Sequence, residues 1–100
     1  MKRYRVLFSR TASRDLQRLA AFLRSRDAAD ARLVEPTLRA AVEALKRLPF
    51  LGRVAANQTD PTLRELLIPF GATGYVLLYR VRTGEIRVLA VRHQLEGQYQ

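Results

Sequence analysis

One hundred residues make one small domain with a modest core, and an apolar fraction of 48% is that of a folded chain. The absence of cysteine excludes a disulfide framework and thiolate metal sites, and no apolar run approaches the roughly 20 residues of a membrane helix. Eighteen basic residues against nine acidic give a net charge of +9, and only Lys2 and Lys46 are lysine, so an anionic partner is expected: nucleic acid, an acidic protein or a membrane surface.

Tyr4 to Ser9 alternate, with Tyr4, Val6 and Phe8 on one side, which predicts a first strand. Ser9 or Thr11 offers a helix N-cap. Ala12, Leu16, Leu19, Ala20 and Leu23 then fall on one helical face, which Phe22 widens, and Arg14, Gln17, Arg18 and Arg24 lie opposite. Ser25-Arg26-Asp27 breaks the pattern. A second helix carries Val34, Leu38, Ala41, Val42, Leu45 and Leu48, with Pro36 either in its first turn or inside a longer, kinked helix, the latter being favoured. Pro49 to Pro61 reads as a long loop. Three strands follow: Leu63 to Ile68, closed by Pro69; Tyr75 to Val81; and Ile86 to Arg92. Gly71 to Gly74 and Thr83-Gly84 are the turns between them. "YVLLY" is apolar on both faces, so its strand should be central. The order β-α-α-β-β-β gives an α+β fold, a small mainly antiparallel sheet packed on an αα-hairpin, over residues 1–100.

Enzymatic machinery is sparse. Asp15, Asp27, Asp30 and Glu43 sit among arginines and read as solvated ion-pair partners. One histidine and no cysteine leave no metal set with ligand spacing, and no cofactor is expected. The basic residues of the sheet are the more informative feature. Period-two alternation puts Arg80 and Arg82 on one side of their strand. It also groups Arg87, Leu89, Val91 and His93 on one face of the last strand, with Arg92 on the other. His93, Arg92 and Tyr99 would gather at the rim of this surface. There a His could act as acid or base, an Arg could stabilise phosphorane charge and a Tyr could stack a base. The simpler reading is that His93 ends a strand.

Taken together, "VLFSRTASRDL", the turn Pro49-Phe50-Leu51-Gly52-Arg53, "LRELLIP", "YVLLYRV" and "IRVLAVRHQLEGQY" resemble the RelE/ParE toxin superfamily across essentially the whole chain, most closely its ParE branch. That resemblance implies a cytoplasmic toxin of a type II toxin–antitoxin operon, of the plasmid-stabilisation type. It implies DNA gyrase as target, replication block as outcome and a cognate acidic, ParD-like antitoxin bound in a hetero-oligomer, with no membrane role. Under it Arg80, Arg82, Arg92, His93 and Tyr99 are the expected target contacts. Leu16, Leu19, Phe22, Leu23 and Arg64 are the expected antitoxin contacts. The alternative branch is RelE-like, a ribosome-dependent mRNA endoribonuclease, with His93, Arg92 and Tyr99 as its chemical groups. RelE-like sequences write Gly-Tyr-Arg where this chain has Gly74-Tyr75-Val76, and residues 54–60 lack the lysines many of those nucleases use. Both departures turn the expectation toward a binding inhibitor with no catalytic residue.

Overall fold

The computed structural model describes residues 3–26, 28–56, 59–70 and 73–94, with the side chains of Leu23, residues 25–31 and Thr73 left undescribed. Tyr99 therefore lies outside the described residues, as does the Leu23 side chain. The elements are β1 (Arg5–Phe8), α1 (Arg10–Arg26), α2 (Ala28–Arg47), β2 (Arg53–Val54), β3 (Leu63–Phe70), β4 (Thr73–Arg82) and β5 (Glu85–His93).

Ser9 is the N-cap of α1. Its Oγ accepts the Ala12 N–H at 3.0 Å and donates to the Leu89 carbonyl at 3.1 Å, joining the helix start to the last strand. In α1, Ala12 and Leu19 are completely buried. In α2 the buried positions are Val34, Leu38 and Leu45. Pro36 lies within α2, which runs as one helix through it, with Leu33 and Pro36 both exposed.

The five strands form one sheet in the order β1-β5-β4-β3-β2. β1 pairs parallel with β5, and every other pair is antiparallel, so "YVLLY" does lie on the central strand. Arg82 and Glu85 face each other across Thr83-Gly84, where Gly84 supplies the required positive φ of 70°. Three details of this sheet differ from the sequence reading. Thr73 and Gly74, expected in the turn, already belong to β4, opposite Phe70 and Pro69. The loop after α2 contains the two-residue strand β2, paired to Arg64 and Glu65. Pro69 does not close β3, which continues to Phe70; two-residue β2 leaves this end of β3 at the sheet edge, where a missing N–H is tolerated.

Both helices cover the same sheet face. One cluster joins Ala12, Leu19, Val34, Leu38 and Leu45 to Tyr75, Leu77, Tyr79, Val81, Ile86, Val88 and Val91. Burial of these side chains supplies most of the driving force, at roughly 25 cal/mol per Å² of apolar surface.

Candidate functional site

A bulge decides which β5 side chains face the helices. Leu78 opposes Ala90 and the next residue, Tyr79, opposes Val88, so Leu89 is an extra residue on β5. Before it, Ile86 and Val88 point into the core; after it, Val91 and His93 do. Strict alternation from Arg87 to His93 therefore fails. Arg87 remains on the open face with Arg80, its cross-strand neighbour, whereas Val91 and His93 pass to the helix face and Arg92 comes to the open one.

The N-cap of α1 and one side chain of the helix hold this irregularity. Ser9 reaches the Leu89 carbonyl, and the Asp15 Oδ2 accepts the Val91 N–H at 2.9 Å. The other Asp15 oxygen meets Arg18 at 3.2 Å. Asp15 is thus a structural acceptor for β5 as well as an ion-pair partner, a role its setting among arginines did not reveal.

Of the residues that the sequence placed at one rim, the structure puts His93 and Arg92 on opposite faces of the sheet, and Tyr99 lies outside the described residues. His93 is 3% exposed. Its ring lies 5.3 Å from the Tyr75 ring and 6.2 Å from Phe22, centroid to centroid, in an aromatic group that extends to Phe70. Arg92, the preceding residue, lies on the opposite face, in register with Val76. Val76 is in turn opposite Leu67, which is 55% exposed.

Arg80, Arg82, Arg87 and Arg92 share the open face with Arg53, which the sequence reading did not single out. Carboxylates set several of them: Arg80 lies 3.6 Å from Asp60, Arg53 3.6 Å from Glu65, and Arg87 3.2 Å from Glu85. Asp60 accepts both the hydroxyl and the N–H of Thr62, and these bonds, with Arg80 and Arg82 nearby, hold its carboxyl below the usual range. This surface can hold anions by charge and bidentate hydrogen bonds. It brings no described histidine to them.

On the helix side a groove of about 640 Å³ opens between α1, α2 and β1, floored by Phe8, Leu16, Ala20, Val34, Leu38 and Val42. Its α2 rim is internally neutralised by the pairs Glu35–Arg39 and Glu43–Lys46. The Lys46 hydrogen bond is the main reason the Glu43 carboxyl is held below its ordinary value. Arg24 stands on the α1 rim. Among the expected antitoxin contacts, Leu16 lines this groove. Leu19 is buried beneath it in the core, and Phe22 packs toward His93. The sequence pattern could not separate them, because one apolar stripe serves both sheet and groove.

Arg64 lies apart from both surfaces. Its guanidinium donates to the carbonyls of Pro61 at 2.7 Å and Gly52 at 3.0 Å, and sits 4.9 Å over the Phe50 ring. The Gly52 N–H in turn donates to the Tyr79 hydroxyl at 2.8 Å. A Cβ on Gly52 would fall 2.5 Å from the Glu65 carbonyl oxygen, which explains the glycine. Burial pushes the Tyr79 phenol up, against the opposing effects of Gly52 and Arg64. Among the described residues no cluster of three or more His, Asp or Glu could hold a metal ion, and no helix is long and apolar enough to cross a membrane.

A two-helix hairpin on one face of a small mixed sheet, grooved on one side and arginine-rich on the other, is an α+β architecture shared with a toxin–antitoxin structure. The solved structure titled "Chromosomal ParDE TA system from P. aeruginosa" overlays with a TM-score of 0.69, covering 90% of this chain and 95% of that one at 18% identity. The chain belongs to the family described as ParE toxin of type II toxin-antitoxin system, parDE, whose model matches residues 6–97. Two Caulobacter vibrioides proteins are similar to it along most of their length. Toxin RelE1 is 39% identical over 93 residues, 93% of this chain and 96% of the relative. Toxin RelE3 is 35% identical over 85 residues, 85% and 88% of the two chains. The chain is a type II toxin of the RelE/ParE superfamily.

Proposed function

We propose that this toxin acts by binding DNA gyrase and blocking replication, and that a cognate acidic antitoxin neutralises it as a hetero-oligomer. The names of the relatives mix both branches of the superfamily. The observation that carries the gyrase reading is the separation of His93 from the arginines. Acid–base cleavage of RNA needs a proton-transfer group within about 3 Å of the reacting atoms, on the side that holds the phosphate. His93 is enclosed by Phe22 and Tyr75 on the helix face, while Arg80, Arg82 and Arg92 occupy the other. In place of a further cation, Val76 and Leu67 stand beside Arg92. An inhibitor that binds needs only a complementary surface, and an open face with arginines and an exposed leucine provides one.

The groove between the helices supports the second half of the reading. Its apolar floor suits an amphipathic antitoxin segment, and Arg24 suits an acidic residue on that segment. Induction in cells tests the target: filamentation and an SOS response are expected with translation continuing. Arrest of translation with fragmented mRNA would instead support the ribonuclease alternative.

A further inference from the structure

The outward half of α1 lies outside both surfaces, except that Gln17 borders the groove. Arg10, Thr11, Ser13, Arg14, Gln17 and Arg18 are all exposed there, opposite the fully buried Ala12 and Leu19. Arg10, Arg14 and Arg18 follow at intervals of four residues, so their stems rise about 6 Å apart along one ridge. Arg18 shares Asp15 with the β5 backbone, whereas Arg10 and Arg14 make no ion pair among the described residues. The ridge works against the helix. The first turn contains no acidic residue and places Arg10 where the dipole favours an anion, and the ridge sets like charges at i, i+4 spacing. Apart from the Arg18–Asp15 pair, folding therefore gives no reason for this arrangement.

Its chemistry identifies a partner. All six side chains carry hydrogen-bond donors and none is acidic, the set that contacts phosphate and sugar in protein–DNA complexes. Protein interfaces also use arginine, but they set it among aromatic and apolar anchors, and among the described residues none of the large exposed apolar side chains lies on α1. The antitoxin groove lies to the side, lined on α1 by Leu16, Gln17, Ala20 and Arg24, so an occupant there reaches Gln17 but leaves Arg10, Arg14 and Arg18 uncovered.

We infer that the outward face of α1, centred on Arg10, Arg14 and Arg18, is a sequence-independent binding site for the phosphate backbone of duplex DNA. The inference deepens the gyrase reading, since gyrase holds duplex DNA that a bound toxin could touch. The ridge would add affinity for the enzyme–DNA complex over the enzyme alone.

The test uses the full chain and a fluorescently labelled mixed-sequence duplex, titrated by anisotropy at several salt concentrations. Wild type should bind with a steep salt dependence. R10Q/R14Q/R18Q should lose about tenfold or more in affinity, and the slope of log K against log salt should fall by about two to three. The triple variant should melt close to wild type, because the repulsion removed offsets the loss of the exposed Arg18–Asp15 pair; Arg14→Gln alone, which leaves that pair intact and is expected to show a smaller loss, guards against misfolding of the triple. No duplex binding by wild type, or equal binding by the variants, overturns the inference. Ridge-dependent binding of poly-glutamate at least as tight as of the duplex also overturns it, in favour of an acidic protein. Failure of wild type to inhibit gyrase would sink the gyrase reading while leaving the duplex result intact, so the two fail separately.

Discussion

Asp15 on α1 accepts the backbone N–H of Val91 on β5 across 2.9 Å, two residues past the extra residue of the bulge. This bond joins the first helix to the strand segment that sends His93 inward and Arg92 outward. Asp15→Ala should destabilise the fold by about 1–3 kcal/mol, because a part-buried N–H loses its acceptor. Asp15→Asn, which keeps an acceptor oxygen, should lose less. Chemical denaturation would show the ordering in midpoints at constant slope; equal midpoints for all three proteins would contradict the role of Asp15.

His93→Ala is a poor test of chemistry in this fold. It removes a buried ring packed against Tyr75 and Phe22, and comparable truncations cost about 3–5 kcal/mol. His93→Phe approximately preserves the volume and removes the titratable group. We expect His93→Phe to keep growth arrest within a few fold of wild type at matched protein level. Complete loss of arrest in a folded His93→Phe would point to a chemical role for the imidazole.

Most of the fold could be read from periodicity, since helix faces and strand alternation each leave long signals. What could not be read depended on single residues. In Val88-Leu89-Ala90-Val91 all four residues are apolar, so no Gly or Pro marks the bulge, and one extra residue reversed the face of everything after it. β2 is two residues long and pairs only through tertiary contact, leaving no local pattern. The sheet face and the groove draw on the same α1 stripe, so Leu19 and Leu16 looked equivalent although only Leu16 lines the groove. The arginines of the sheet were visible as a group, but the face each one took was not.

That distinction predicts different outcomes for two substitutions. Leu19→Ala should behave as a core truncation, losing about 2–5 kcal/mol of stability. Leu16→Lys should change stability less and weaken antitoxin binding at least tenfold, because it puts a charge into an apolar groove at about 1.4 kcal/mol per tenfold. Calorimetry with the cognate antitoxin, beside a melting curve for each variant, separates the two. Antitoxin affinity unchanged in Leu16→Lys would place the antitoxin elsewhere.

The knot around Gly52 should be brittle. Gly52→Ala drives a Cβ to 2.5 Å from the Glu65 carbonyl oxygen and 2.8 Å from the Tyr79 hydroxyl, so backbone must shift. Tyr79→Phe only leaves the Gly52 N–H without its acceptor, at about 1–3 kcal/mol. Gly52→Ala is expected to lower the melting temperature more than Tyr79→Phe; the reverse order would mean that the loop relaxes freely.

Asp60 makes the fold sensitive to acid. Its folded-state pKa lies below the ordinary 3.8, chiefly through the Thr62 hydrogen bonds, so its contribution is present above that value and fades as pH falls through the folded pKa. Asp60→Ala should therefore melt below wild type near neutral pH, and the difference should shrink on acidification below about pH 4. A gap that stays constant to low pH would show that the carboxylate charge does not contribute.

The most direct measurement gives purified toxin to two reactions side by side: gyrase supercoiling a relaxed plasmid, and ribosomes translating a defined mRNA. Inhibited supercoiling or trapped cleaved DNA, with the mRNA intact, is the predicted result. The effect should weaken on charge reversal at Arg80, Arg82 or Arg92 and persist in His93→Phe. Cleaved mRNA with normal supercoiling, abolished in a folded His93→Phe, would contradict the account.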